Sequence, residues 1–198
     1  MTTPRKFYDS VLDHICERLI KEIPSHYTYH SLRHTLDVIE QSIIIGKEES
    51  LSEEEIDILK IAALFHDFGY IRTRKEHEMH SAEIFKEYAQ RYDLPSKTQD
   101  IVSGCILATK IPQSPKAHIE QVLCDADLDY LGREDFVEIG EALYTEMHAC
   151  SEITDRESWN LLQVKFLSNI TYHTAYSRKS RSEQLKKNLA NVKQLLSL

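Results

Sequence analysis

Glycine is scarce in this chain: five occur in 198 residues, at Gly46, Gly69, Gly104, Gly132 and Gly140. Neither GxGxxG nor a Walker-type GxxxxGK run is present. A dinucleotide fold or P-loop is therefore disfavoured, and any phosphate would have to be held by metal, lysine or arginine. Cysteine is also sparse, and Cys16, Cys105, Cys124 and Cys150 lie too far apart for a C-x-x-C zinc or redox pair. They read as small buried hydrophobes in a reducing compartment. No apolar run approaches the ~20 residues of a membrane span. The opening MTTPRKFYDSVLDHI lacks the apolar core of a signal peptide. The expectation is a cytoplasmic protein. A net charge of −8 argues against nucleic-acid or anionic-membrane partners, though not against a small anionic substrate.

What the chain does have is histidine, ten residues in all, and helical periodicity from end to end. Val11, Leu12, Ile15, Leu19 and Ile20 mark a first helix that stops at Pro24. Ser31 opens a second, with a stripe of Leu32, Leu36, Ile39 and Ile43. Ser52 and Glu55 form a capping box for a third. Further helices are expected at about 77–92, from Ser96, at about 116–131, and over 135–149, 155–174 and 178–196. No repeat, linker or sustained period-two alternation interrupts them. The fold class is all-α, a bundle of about nine helices forming one domain over residues 1–198.

Three stretches carry polar groups that such helices should not bury freely. The third helix grows steadily more apolar through IAALF and then meets His66 and Asp67. Burying that pair is costly unless the two residues bond each other or bind a metal. Asp67 also falls near a helix C-terminus, where the dipole favours a cation. His30 and His34, at i and i+4, can share one metal, or His30 can cap the helix start. Asp127 lies on the stripe of Ile119, Leu123, Ala126 and Tyr130, so it needs a cation or strong donors. The alternative is a solvated Asp125/Asp129 face with Asp127 paired to a lysine. Two histidines and two aspartates suit an octahedral divalent ion with open water positions rather than a Cys-rich zinc site.

In this order YHSLRHTLDVI, ALFHDFGY and CDADLDYLG resemble the HD superfamily of metal-dependent phosphohydrolases, over about residues 26–132, with 133–198 as helices packed on that core. The resemblance implies one divalent metal (Mn, Mg, Co, Ni, Fe or Zn) held by His34, His66, Asp67 and Asp127, with His30 outside the ligand set. KEHEMHSAEI and ILATKIPQSPK are similar to a bacterial subgroup, some of whose members accompany nucleotide cyclase domains. The spacing of His77, His80 and His118 does not match the two-metal members, so a single metal is expected. Tyr70 stands where some nucleotidase members carry a glutamate, which makes Glu78 the substitute acid or base. The implied activity is hydrolysis of a small phosphorylated substrate, a nucleotide or cyclic nucleotide. Asp67 or Glu78 would orient the water, and Lys110 or the Arg72, Arg74 and Lys75 loop would stabilise developing charge. A weakly catalytic regulatory module and a metal oxygenase are the other classes within reach of the same pattern. Self-association into a homo-oligomer stays open.

Overall fold

A computed structural model describes residues 1–196 and contains nine α-helices and no strand among them. The helices are α1 (Pro4–Glu22), α2 (Leu32–Glu48), α3 (Glu53–Phe65), α4 (His77–Arg91), α5 (Ser96–Ala108), α6 (His118–Asp127), α7 (Phe136–Ala149), α8 (Arg156–Asn169) and α9 (Ala175–Leu195). Short 3₁₀ turns follow α3 at Phe68–Ile71 and α6 at Asp129–Gly132. Among the described residues no helix is long and apolar enough to cross a membrane.

α3 is the axis. The expected capping box holds its start, with Ser52 Oγ accepting from the Glu55 amide at 3.3 Å and Glu55 Oε2 accepting from the Ser52 amide at 2.8 Å. Apart from Lys60, every residue from Ile58 to Phe65 is buried. α1, α2 and α5 pack around it. Phe7, Phe65 and Phe85 meet edge-on or tilted in the centre of this core. A second apolar cluster forms from Tyr130, Leu131, Phe136, Leu167, Leu185 and Val192, where α7, α8 and α9 gather on the turn after α6.

One expectation about a helix face and one about a helix end are corrected. The inner face of α2 is His34, Val38, Ile39 and Ile45, and Leu36 is exposed. The stripe was phased on leucine, whereas packing against α3 and α6 rotates His34 inward. The helix expected to run to residue 131 ends at Asp127, because the chain tightens there into the 3₁₀ turn.

Gly69 has a steric task. A Cβ there would lie 2.0 Å from the His77 carbonyl oxygen and 2.8 Å from the Ser81 amide nitrogen. The missing side chain lets the turn after α3 lie directly on the start of α4, and the Gly69 amide donates to Ser81 Oγ at 2.7 Å. That contact carries residues 77 and 78 beside residues 66 and 67.

Candidate metal centre

Four polar side chains from three helix segments converge at the meeting of α2, α3 and α6. His34 lies in the first turn of α2, His66 caps the end of α3 with Asp67 next, and Asp127 is the last residue of α6. Both aspartates thus sit at helix C-termini, where backbone carbonyls already concentrate negative charge. All four are buried or nearly so. The two Nε2 atoms of His34 and His66 are 3.2 Å apart. Asp127 Oδ1 lies 3.2 and 3.5 Å from them, and Asp67 Oδ2 lies 3.3 and 3.2 Å from them. Donors held about 2.1 Å from one cation at octahedral or tetrahedral angles stand about 3.0–3.4 Å apart. His34, His66 and Asp127 fit a divalent ion together, and Asp67 Oδ2 borders that group through the two imidazoles.

Neighbouring bonds fix how the donors point. His66 Nδ1 donates to the Ala63 carbonyl at 2.8 Å, which turns the Nε2 lone pair into the cluster. Without a cation, the charges compensate one another. Burial by itself would raise the Asp127 carboxyl, but hydrogen bonds and charge from His34 and His66 hold it at about 2. Asp67 is likewise held well below the ordinary carboxylate range, against burial, by His66, His34 and His77. Burial would lower the imidazoles of His34 and His66, and the two carboxylates raise them instead.

The structure corrects the alternative for the aspartate run. Asp125 and Asp129 are buried, not solvated. Asp125 accepts from the His173 and Thr174 amides at 2.8 Å and so anchors the start of α9. Asp129 accepts from Arg181 at 2.8 Å. Asp127 alone faces the cluster.

His77, which spacing left outside the metal pattern, enters the site. Its Nε2 is 3.3 Å from Asp67 Oδ1 and 3.5 Å from Glu78 Oε1, and its Nδ1 donates to the Arg74 carbonyl at 3.2 Å. Glu78 is buried and lines the cavity beside it. His80 and His118 lie apart, with Glu83 and Glu49 as partners. His30 stays outside the ligand cluster, stacked on Tyr70 at 4.2 Å, and Tyr70 stacks in turn on His77 at 4.1 Å.

Behind that stack is Glu146 of α7, a residue the sequence reading missed. Its fully buried carboxylate accepts from the Tyr29 and His30 amides at 2.9 and 3.0 Å, and pairs with His30 Nδ1 and Arg74. A signal existed: Glu146 falls on the same apolar face as Ile139 and Leu143, the argument that singled out Asp127.

The proposed cations are not brought in. Lys110 is 51% exposed and bonds both Glu76 carboxylate oxygens at 3.0 Å, because α5 ends at Ala108 and the chain turns the lysine outward. Arg72 pairs with Glu83 and Glu87, Arg74 with Glu146 and Glu152, and Lys75 is exposed. Lys110→Ala should therefore change turnover by less than about twofold, since an exposed pair of this kind contributes at most about 1 kcal/mol to stability and touches nothing reactive. A loss of tenfold or more in kcat would return Lys110 to the site.

Residues 31–129 match the HD domain family model, half of the chain and the part that holds the whole cluster. The fold is similar to the crystal structure of a protein from an uncultured Thermotogales bacterium, described as a predicted HD superfamily hydrolase. The TM-score is 0.63 at 19% identity, over 94% of this chain and 92% of that one. No curated protein matches the chain in sequence.

Proposed function

The chain belongs to the HD domain family, and on that footing we propose that it is a metal-dependent phosphohydrolase that cleaves a small phosphoester with a metal-activated water. One observation carries the reading: His34, His66 and Asp127, brought from three helix ends, hold one donor atom each close enough to share an ion, with Asp67 Oδ2 against both imidazoles and both carboxylates on the wall of a cavity. Burial of four such groups is expensive without a cation to share. The description of the similar Thermotogales protein as a hydrolase supports the same class.

His34, His66, Asp67 and Asp127 would hold the ion. It would supply an acidified water and a Lewis-acid contact to a phosphoryl oxygen. The chain's own residues then do the rest. Asp67 offers Oδ2 to the cluster and Oδ1 to His77, so it couples the ligand set to a proton carrier. His77 and Glu78, 3.5 Å apart, would hold the proton that the leaving oxygen takes up. The faces of Tyr29, Tyr70, Tyr130 and Trp159 line the cavity and offer a surface for a base or other ring. The likeness to the cyclase-associated subgroup adds cyclic nucleotides to the substrates worth testing.

Purified protein should carry about one divalent ion per chain, as expected of a site with three or four protein ligands. Loaded with Mn²⁺, it should release phosphate or nucleoside from a panel of nucleotides, cyclic nucleotides and simple phosphoesters, and a strong chelator should stop that release. Metal bound at full stoichiometry with no turnover across the panel would remove the hydrolase reading and leave a binding module.

A further inference from the structure

The cavity that opens from the cluster is built for something less charged than a polyphosphate. It encloses about 260 Å³, and much of its wall is Leu128, Phe136, Leu143, Met147, Phe166 and Leu167. Among the described residues, none that lines it is a lysine or arginine. Its acidic groups are Asp67, Glu78 and Asp127. Two carboxylates neutralise a divalent ion, and the third leaves the site short of positive charge before any substrate enters. Arg74, Lys110 and Arg133 are engaged elsewhere: Arg74 with Glu146, Lys110 with Glu76, and Arg133 with Asp37 and Asp135. The imidazoles on its wall, His30 and His77, already face Glu146 and Asp67, so each further phosphate would have to shed its water into a largely apolar chamber without a free counter-charge.

The other end of the chamber stays apolar as far as the surface. Ile111, Leu162 and Phe166 line both this cavity and an outer groove of about 490 Å³ that continues over Pro112 and Ile170. Ile111 and Leu162 are exposed there, large apolar side chains at a neck. Lys165 lines only the outer groove.

We propose that the substrate is a phosphomonoester with a single phosphoryl group on an apolar body, aromatic or alkyl, and that the body lies along Leu143, Met147 and Phe166 toward the Ile111–Leu162 neck. This rests on the phosphohydrolase reading. Hydrolysis forms a bond from a water oxygen to phosphorus and breaks the bond from phosphorus to the ester oxygen. The leaving oxygen takes up a proton, and inorganic phosphate and an alcohol or phenol are released.

The test uses the full chain loaded with Mn²⁺ and reads phosphate release from ethyl, butyl and hexyl phosphate, 1-naphthyl phosphate, AMP and ATP. The expected result is a kcat/KM that rises roughly fourfold per added methylene from ethyl to hexyl, the worth of one buried CH₂. 1-Naphthyl phosphate should exceed ATP by on the order of 10²-fold, as apolar pockets discriminate on that scale. Leu162→Asp, at the exposed neck where folding is not at stake, should flatten the chain-length gradient. ATP turned over as fast as 1-naphthyl phosphate, or a gradient that is flat in the wild type, would overturn this substrate class while leaving a phosphohydrolase. Failure on every ester with the metal bound would instead overturn the phosphohydrolase reading, and this inference with it.

Discussion

Asp67→Asn should leave a folded protein that holds far less divalent metal and hydrolyses its best phosphoester at least on the order of 10³-fold more slowly, because hydroxide at neutral pH depends on the bound ion lowering the pKa of water from about 15.7 toward about 7. The substitution keeps the shape of a side chain that is almost completely buried, so packing around Phe65 and Phe68 is preserved. It removes the charge that faces His34 and His66 through Oδ2, and the acceptor that faces His77 through Oδ1. One change therefore weakens the ion's hold and uncouples the proton carrier. Elemental analysis, helical circular dichroism and kcat on one preparation separate the possibilities. Normal metal content together with normal turnover would end the case for Asp67 as ligand and for the mechanism built on it.

How far the site could be read from the chain depends on how local each signal is. The HD pair announces itself because α3 becomes steadily more apolar before it, and an imidazole and a carboxylate at the end of such a helix need an explanation. Asp127 is readable for the same reason, since its neighbours one turn away are apolar. The i, i+4 spacing offered His30 and His34 together, and only the family likeness chose His34, because the stripe on α2 was phased on Leu36, which is exposed. Composition and periodicity sufficed for the all-α class, since no competing signal for strands exists. The losses are all tertiary. Lys110 looked like a phosphate ligand because it follows an apolar helix, but where a terminal side chain points depends on the turn after it. His77 was set aside on spacing, yet the close approach at Gly69 folds it onto Asp67. Glu146 meets its partners across 116 and 117 residues, a separation no local pattern encodes.

Glu146→Gln should cost about 3 kcal/mol of stability at pH 7, within the range of about 3–5 kcal/mol for breaking a buried ion pair. The glutamine carbonyl can still accept from the Tyr29 and His30 amides, so the backbone there keeps its bonds. What is lost is the carboxylate's pairing with Arg74 and with His30, at a position closed to solvent. Burial by itself would raise the Glu146 carboxyl; hydrogen bonding and charge from His30, and the bond from Arg74, override it and bring the pKa from 4.5 down to about 2. At about 1.4 kcal/mol per pKa unit that drop corresponds to about 3 kcal/mol, in agreement with the mutational range. Because the folded pKa lies below the unfolded one, this stability is fully present above about pH 4.5 and disappears as pH falls toward 2. In a chain of this length the variant should melt roughly 6–12 °C lower at pH 7. The gap between the two proteins should then close across that acidic window, while loss of metal in acid is common to both and drops out of the difference. The measurement is thermal unfolding of wild type and Glu146→Gln at half-unit steps from pH 7 to pH 2.5. A gap that is already negligible at neutral pH, or one that stays constant down to pH 2.5, would show that the carboxylate is not the charged anchor of the His30–Tyr70 wall.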